Sequence, residues 1–424
     1  MKKIKILTVG GESYQITDPE AARIDDGVMD EVHTWSGKEI IDRLCPGFTK
    51  TGELVACDPV EGYPLKVVSA IEPVQEGSGD PSPDNVRPLT GHTAVRLWRG
   101  GKNLIDPVEY MKDVYNTTLD GDVFTSDFQN GGLYVNTGYG NKKTHPKGTY
   151  TATFFPVTEG ATCSFFVYSA ATKAQIAVKY GLKAGNASFT FTINEEFYLS
   201  VGGGKPYGMQ SYKLQLEAGS VASEYEPYRG EEFTMELGQT VYGGSLNWQT
   251  GVLTVDKHWR IFTGDEAWFW TGDANNNYNG NYRPLLYITD SALFAKDRTV
   301  PCWSSHFKYE TLVAINGGTN IGCYVNNDLI GIRPGLGEQV TTIEEWKEWL
   351  ADQNAAGTPV QFCYELANPI TVQLTPRVIP ALPGVNTLWA DTGNITVTGR
   401  ADPVAENAML KSRLAALEAA LINT

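Results

Sequence analysis

The chain has 424 residues, 42% of them hydrophobic and 20% charged, so it carries enough apolar surface for several folded cores and too much for a disordered state. A formal net charge of −15 opposes phosphate backbones, and no basic run interleaves with aromatics, so nucleic acid is excluded as a partner. Lys2, Lys3 and Lys5 precede an apolar run that stops at Gly10, too short for a signal peptide, and no stretch approaches the ~20 apolar residues of a membrane span. A soluble chain made in the cytoplasm, without membrane insertion, is expected.

Ile4–Val9 and Ser13–Ile16 flank Gly10-Gly11 and read as a hairpin. Asp18 followed by Pro19 is a helix start, an acceptor for orphan amides ahead of a residue whose missing N–H costs nothing there. Ser36-Gly-Lys-Glu39 is a capping box before Ile40, Ile41 and Leu44, and Pro46 closes that segment. Pro73 to Pro88 holds four prolines among Gly, Ser, Asp and Asn; without ladder donors it is a linker or long loop, not a central strand.

From Gly101 to Tyr228 short alternating runs recur between turn residues: Thr149–Phe155, Cys163–Tyr168, Ser188–Ile193, Phe197–Val201 and Tyr212–Glu217. Strands of this length without helical periodicity predict an antiparallel sandwich or jelly roll. The pattern returns from Phe233 to Thr398, with Val252–Val255, Leu285–Ile288 and Val360–Glu365, interrupted by one helix. There Thr342-Ile-Glu-Glu345 is a second capping box, and Trp346, Trp349 and Leu350 form the buried stripe. In the last segment Asn407, Leu410, Leu414, Leu417 and Leu421 follow heptad spacing, which predicts a helix that self-associates or docks on the chain's own body.

The fold class is therefore mainly β: tandem antiparallel β-sandwich or jelly-roll modules, a small α+β N-terminal unit and a C-terminal amphipathic helix. The expected division is an attachment unit at 1–72, a Pro/Gly-rich linker or long loop at 73–100, one sandwich at 101–229, a second at 230–400 with an inserted helix at 342–354, and a coiled-coil-like helix at 401–424.

Four stretches carry a resemblance. They are Trp35-Ser-Gly-Lys38 with Leu44-Cys-Pro46 and Cys57-Asp-Pro-Val-Glu-Gly-Tyr-Pro-Leu65; Glu76-Gly-Ser-Gly-Asp-Pro-Ser-Pro-Asp-Asn-Val-Arg-Pro88; Gly101-Lys-Asn-Leu104 with Gln215-Leu-Glu-Ala-Gly-Ser-Val-Ala-Ser-Glu-Tyr-Glu-Pro-Tyr228; and Val241-Tyr-Gly-Gly-Ser-Leu-Asn-Trp-Gln-Thr-Gly-Val-Leu-Thr254 with Tyr364-Glu-Leu-Ala-Asn-Pro-Ile-Thr-Val-Gln-Leu-Thr375 and Leu388-Trp-Ala-Asp-Thr-Gly393. In this order they resemble tail proteins of phages and prophages of Gram-positive bacteria, components of the tail tip, baseplate or side fibres. The resemblance implies a carbohydrate-binding-module-like sandwich at 101–229, a place in the virion tail, other phage tail proteins as partners, host attachment through a cell-surface glycan, and a homotrimer by analogy with fibres. Read from the residues alone, Glu224-Tyr-Glu-Pro-Tyr228 closes a sandwich edge, and Trp389-Ala-Asp391 is a core anchor before a turn.

Catalytic signatures are missing from the sequence. His33, His92, His145, His258 and His306 lie far apart, and the six cysteines, Cys45, Cys57, Cys163, Cys302, Cys323 and Cys363, show no CxxC spacing, so buried reduced thiols, no metal and no cofactor are expected. Cys45 and Cys57 are the one short-range pair that invites a check for a bridge. Asp273 to Asn281 alternates oxygen-bearing side chains but lacks the Gly and Glu of a calcium loop, with Pro284 at the twelfth position. Trp268, Trp270, Asp273, Asn277, Tyr278 and Tyr282 form the candidate sugar site, aromatic faces for C–H surfaces beside polar groups for hydroxyls, although the two tryptophans suit a core equally. The expected function is a non-enzymatic tail protein at the host-facing end that contributes to glycan recognition. The alternatives are a purely structural baseplate or fibre component, a secreted adhesin, which would need an export signal, and a polysaccharide depolymerase, which needs only two of the 49 acidic residues.

Overall fold

The computed structural model describes residues 5–9, 12–16, 22–24, 33–35, 45, 47–112, 114, 116–128, 133–136, 143–270, 277–278, 281–282, 286–289, 299–311, 321–326, 329–336, 340 and 342–402. These form antiparallel sheets with two short helices, the mainly β class that the alternating runs predict. Near the start, Lys5–Val9 pairs with Glu12–Ile16, as the hairpin reading expects. Ala22–Ile24, just beyond the Asp18-Pro19 helix signal, is instead a strand paired with His33–Trp35. A backbone ladder with a second segment outweighs a local capping signal there. The second N-terminal helix signal, Ser36 to Leu44, and the heptad residues Asn407, Leu410, Leu414, Leu417 and Leu421 lie outside the described residues.

Residues 101–229 supply two sheets that pair only among themselves. One runs Thr117–Asp120, Val123–Phe128, Gly208–Ala218, Gly148–Pro156, Ser188–Ile193; the other Leu133–Val135, Phe197–Gly203, Cys163–Ser169, Gln175–Leu182. Between them lies an aromatic-rich core of Phe124, Phe128, Tyr150, Phe154, Phe165, Phe197 and Tyr212. Its closing motif is a polar network. Glu217 accepts from the Ser223 amide (3.0 Å) and hydroxyl (2.6 Å), Gln215 accepts the Glu226 amide (2.9 Å), and the Tyr225 hydroxyl donates to Asp122 (2.6 Å) under the Lys213 ammonium, 4.7 Å from the ring centroid.

The second sandwich departs from its expected boundaries. One of its sheets is ordered Gly230–Val241, His92–Gly100, Asn386–Ala390, Leu54–Cys57; the other contains Pro64–Ile71 and Gly47–Gly52 on either side of Ile395–Arg400. Residues 47–100 therefore belong to the same body as 230–262 and 360–402, and Val55, Leu65, Val67, Val95 and Leu97 share its core with Phe233, Trp248, Leu253, Ile395 and Val397. Residues 101–229 are an insertion into that body. The attachment unit does not end at 72, and the linker reading fails for His92–Gly100, which is a central strand with Leu97 fully buried.

The proline-rich segment itself is an ordered loop closed by the pair Val74–Gln75 and Leu89–Thr90. The strands Val252–Phe262 and Val360–Gln373 run on past the second core, with a register shift between Val255 and Lys257 that bends the ladder. Their far halves support a third core. Phe262, Val360, Phe362 and Tyr364 pack with Trp346 and Leu350 of the helix Ile343–Ala355 and with a five-stranded sheet that includes Gly322–Asn326 and Leu329–Arg333. The expected capping box is formed: the Glu345 amide donates to the Thr342 hydroxyl (3.1 Å), and the Thr342 amide to the Glu345 carboxylate (2.9 Å).

Candidate functional site

Trp268 does not belong to an open sugar site. It is 5% exposed, meets Phe262 and Trp346 edge to face at 5.0 and 5.3 Å, and donates its indole N–H to Glu266 (3.2 Å). The ring belongs to the third core, the role that the alternative reading of the tryptophans allowed. Trp270 lies in the two-residue strand Phe269–Trp270, and Asn277 and Tyr278 pair with Tyr282 and Asn281. The side chains of Trp270, Asn277, Tyr278 and Tyr282, and all of Asp273, lie outside the described residues.

A different aromatic floor emerges where the inserted sandwich meets its host body. Trp98 and Trp389 stand directly opposite each other on adjacent strands, with ring planes 8° apart and centroids 5.8 Å apart. Their neighbours in sequence, Leu97 and Leu388, are buried in the core, so alternation turns the tryptophans to the outer face, with Leu54 opposite Trp389 on the next strand. Trp389 is thus no core anchor of its own sheet. It and Leu54 pack against the rim of the inserted core.

Above this floor is a groove of about 540 Å³ lined by Glu53, Trp98, Trp389 and Asp391 from one body and Lys143, Pro146, Lys147 and Glu196 from the other. A second hollow of about 600 Å³ shares Glu53 and Lys147, which bridge the seam as an ion pair at 2.6 Å. Lys143 sits 5.7 Å from the Trp98 ring centroid. The lysine is aimed by buried Asn136, at φ 51, whose side chain takes the Lys143 amide (3.2 Å) and gives protons to the carbonyls of Lys143 (3.1 Å) and Leu199 (3.0 Å). Asp391 accepts the Arg96 amide at 2.9 Å, yet desolvation raises its pKa above the usual carboxylate range. The Trp98 indole N–H is buried without a partner among the described residues.

The groove therefore combines flat apolar rings with charges of both signs, groups suited to holding a polyhydroxylated ring by stacking and hydrogen bonds. On the inserted sandwich a second set of aromatics crosses the smaller sheet: Tyr168 stacks on Tyr198 (5.1 Å, 14°), and Phe166 meets Tyr180 edge to face at 5.7 Å, with Tyr180 65% exposed. Among the described residues no group of three or more His, Cys, Asp or Glu is placed to hold a metal ion, and no helix is long and apolar enough to cross a membrane.

Sequence reasoning missed the groove because its two tryptophans are 291 residues apart, 389 minus 98, and neither neighbourhood looks unusual alone. The single available signal was that each tryptophan follows a Leu in a strand whose alternation puts that Leu inside.

No family model matches the chain, and no curated protein matches it. Among solved structures, T=1 particles derived from infectious bursal virus match at 8% identity and a TM-score of 0.13, covering 88% of this chain and 85% of that one. The VP2 subviral particle of infectious bursal disease virus matches at 9% identity and the same TM-score of 0.13, covering 88% of each chain. Scores this low carry no inference about the fold or role of this chain.

Proposed function

We propose that this chain is a non-enzymatic structural protein of a bacteriophage tail, at the host-facing end, and that the seam groove over Trp98 and Trp389 binds a saccharide of the host surface. The tail assignment rests on the resemblance of the four sequence stretches. The stacked tryptophan pair beneath Lys143, Glu196 and Asp391 is the observation that carries the binding role. The structural reading of the same chain draws on the closing motif at 215–228, whose polar groups are spent within the inserted sandwich.

Titration calorimetry of the full chain with purified host cell-wall polysaccharide tests the reading. Binding that falls at least tenfold in Trp389→Ala, with the variant still folded at the assay temperature by circular dichroism, supports the groove. Equal binding by wild type and variant moves the site elsewhere, and no binding by wild type leaves a purely structural tail component. Release of reducing ends from the polysaccharide, lost in Asp391→Asn, would favour a depolymerase instead.

A further inference from the structure

All six cysteines are free thiols, and two of them touch: the sulfurs of Cys302 and Cys323 are 3.9 Å apart, with 3% and 0% of each residue exposed. Cys302 opens the strand Cys302–Ser304 at the end of the larger sandwich sheet, and Cys323 lies in Gly322–Asn326 of the five-stranded sheet, so the contact spans two sheets of the third core. Strand alternation makes the pair selective. Cys302 is opposite Tyr364 and shares its face, whereas the next residue, Cys363, is opposite Trp303 and Trp259 and faces the other way. The Cys323 thiol donates to the Phe307 carbonyl at 3.4 Å, which holds its sulfur on the Cys302 side of the strand.

A disulfide needs the sulfurs at about 2.05 Å, a closure within reach of side-chain rotation plus a small shift of either strand. We propose that Cys302 and Cys323 are a latent disulfide, reduced in the cytoplasm where the chain is made and closed in oxidising surroundings by a low-molecular-weight disulfide. One thiol loses its proton and attacks the oxidant, which releases one small thiolate and leaves a mixed disulfide. The second cysteine, as thiolate, then attacks the protein sulfur of that bond and releases the other small thiolate. Two protein thiols lose two electrons and two protons, and the oxidant gains them as two thiols. Burial raises the Cys302 thiol well above its usual range, so closure is slow and proceeds through local opening, and the finished bond is equally shielded from reductants.

The test uses the full native chain incubated with oxidised glutathione or with dithiothreitol, then quenched with acid and mapped by peptide mass. The expected result is loss of two of the six thiols to a Cys302–Cys323 link, and a melting temperature of the third core higher by about 5 to 10 °C in the oxidised sample. Cys302→Ser and Cys323→Ser, prepared separately, should lose both effects, while Cys363→Ser keeps them. Six intact thiols after oxidation, a link through Cys363, or a link that forms only in denaturant overturns the proposal.

Discussion

The Asn103 side chain is hydrogen-bonded to the Leu216 backbone across the inserted sandwich: its oxygen accepts the Leu216 amide at 3.3 Å and the Ile105 amide at 3.0 Å. Its amide protons go to the carbonyls of Leu214 (3.1 Å) and Glu226 (3.0 Å), and the residue is 1% exposed. The Gly101-Lys-Asn-Leu104 stretch and the Gln215 to Tyr228 stretch are therefore one structural device, in which Asn103 ties the entering chain to the leaving one.

Replacing Asn103 by Leu keeps the volume but strands two amides and two carbonyls in a dry site. A loss of about 3 kcal/mol in urea unfolding of the inserted sandwich is expected. Lys102→Ala, which removes only the partly exposed pair with Glu226, should cost under ~1 kcal/mol. Equal costs would mean that the buried network is not what holds the entry point.

Arg87 gives the proline-rich loop its order. Its guanidinium donates to the carbonyls of Glu76 (2.8 Å), Gly77 (3.1 Å), Gln75 (3.3 Å) and Gly79, while Asn85 donates to those of Ser78 (3.1 Å) and Asp80 (2.9 Å). The loop is stapled outward as well, since the Arg87 amide donates to the Ser305 carbonyl (2.8 Å) and the Gln75 side chain to that of Ser304 (2.9 Å). Arg87→Lys keeps the charge but not the planar fork of donors. Local opening should become easier by about 1.5 to 3 kcal/mol, read as at least tenfold faster proteinase K cleavage within 76–88 with little change in the global melting temperature. An unchanged cleavage rate would assign the loop's order to its prolines.

Local signals in this chain were legible and long-range partners were not. The strand Ser188–Ile193 and the capping box of Thr342 with Glu345 depend on neighbours a few residues away, and the structure reproduces both. The membership of His92–Gly100 depends on Gly230–Val241 and Asn386–Ala390, strands more than a hundred residues downstream, and the prolines just before it pointed toward a linker. The groove failed to register for the same reason. Trp98 and Trp389 become a floor only once those strands pair, and the denser aromatic run at 268–282 drew the assignment, although Trp268 is spent on packing against Trp346. The Cys302 and Cys323 contact likewise joins strands whose pairing no spacing rule encodes.

His145 makes stability depend on pH. It is fully enclosed by Tyr110, Tyr150 and Phe197, its Nε2 is 2.8 Å from the Tyr110 hydroxyl, and its Nδ1 has no partner among the described residues. Desolvation, aided by the Lys143 charge, pushes its pKa down to about 3, whereas in the unfolded chain it titrates near ~6.5. Below that value the unfolded chain takes up a proton that the folded sandwich refuses. The contribution is thus complete above about pH 6.5 and is lost progressively as the pH falls toward 3. Between pH 7 and pH 5 the loss from this one group should be about 2 kcal/mol. His306, pushed down to about 4 by burial, adds a loss of the same sign, so the wild-type slope alone does not isolate His145. Urea unfolding of wild type and His145→Gln at both pH values does: the variant should be less stable at pH 7 but lose about 2 kcal/mol less on acidification. Parallel pH dependence in the two proteins would mean that His145 accepts its proton in the folded state and that the sandwich opens to admit it.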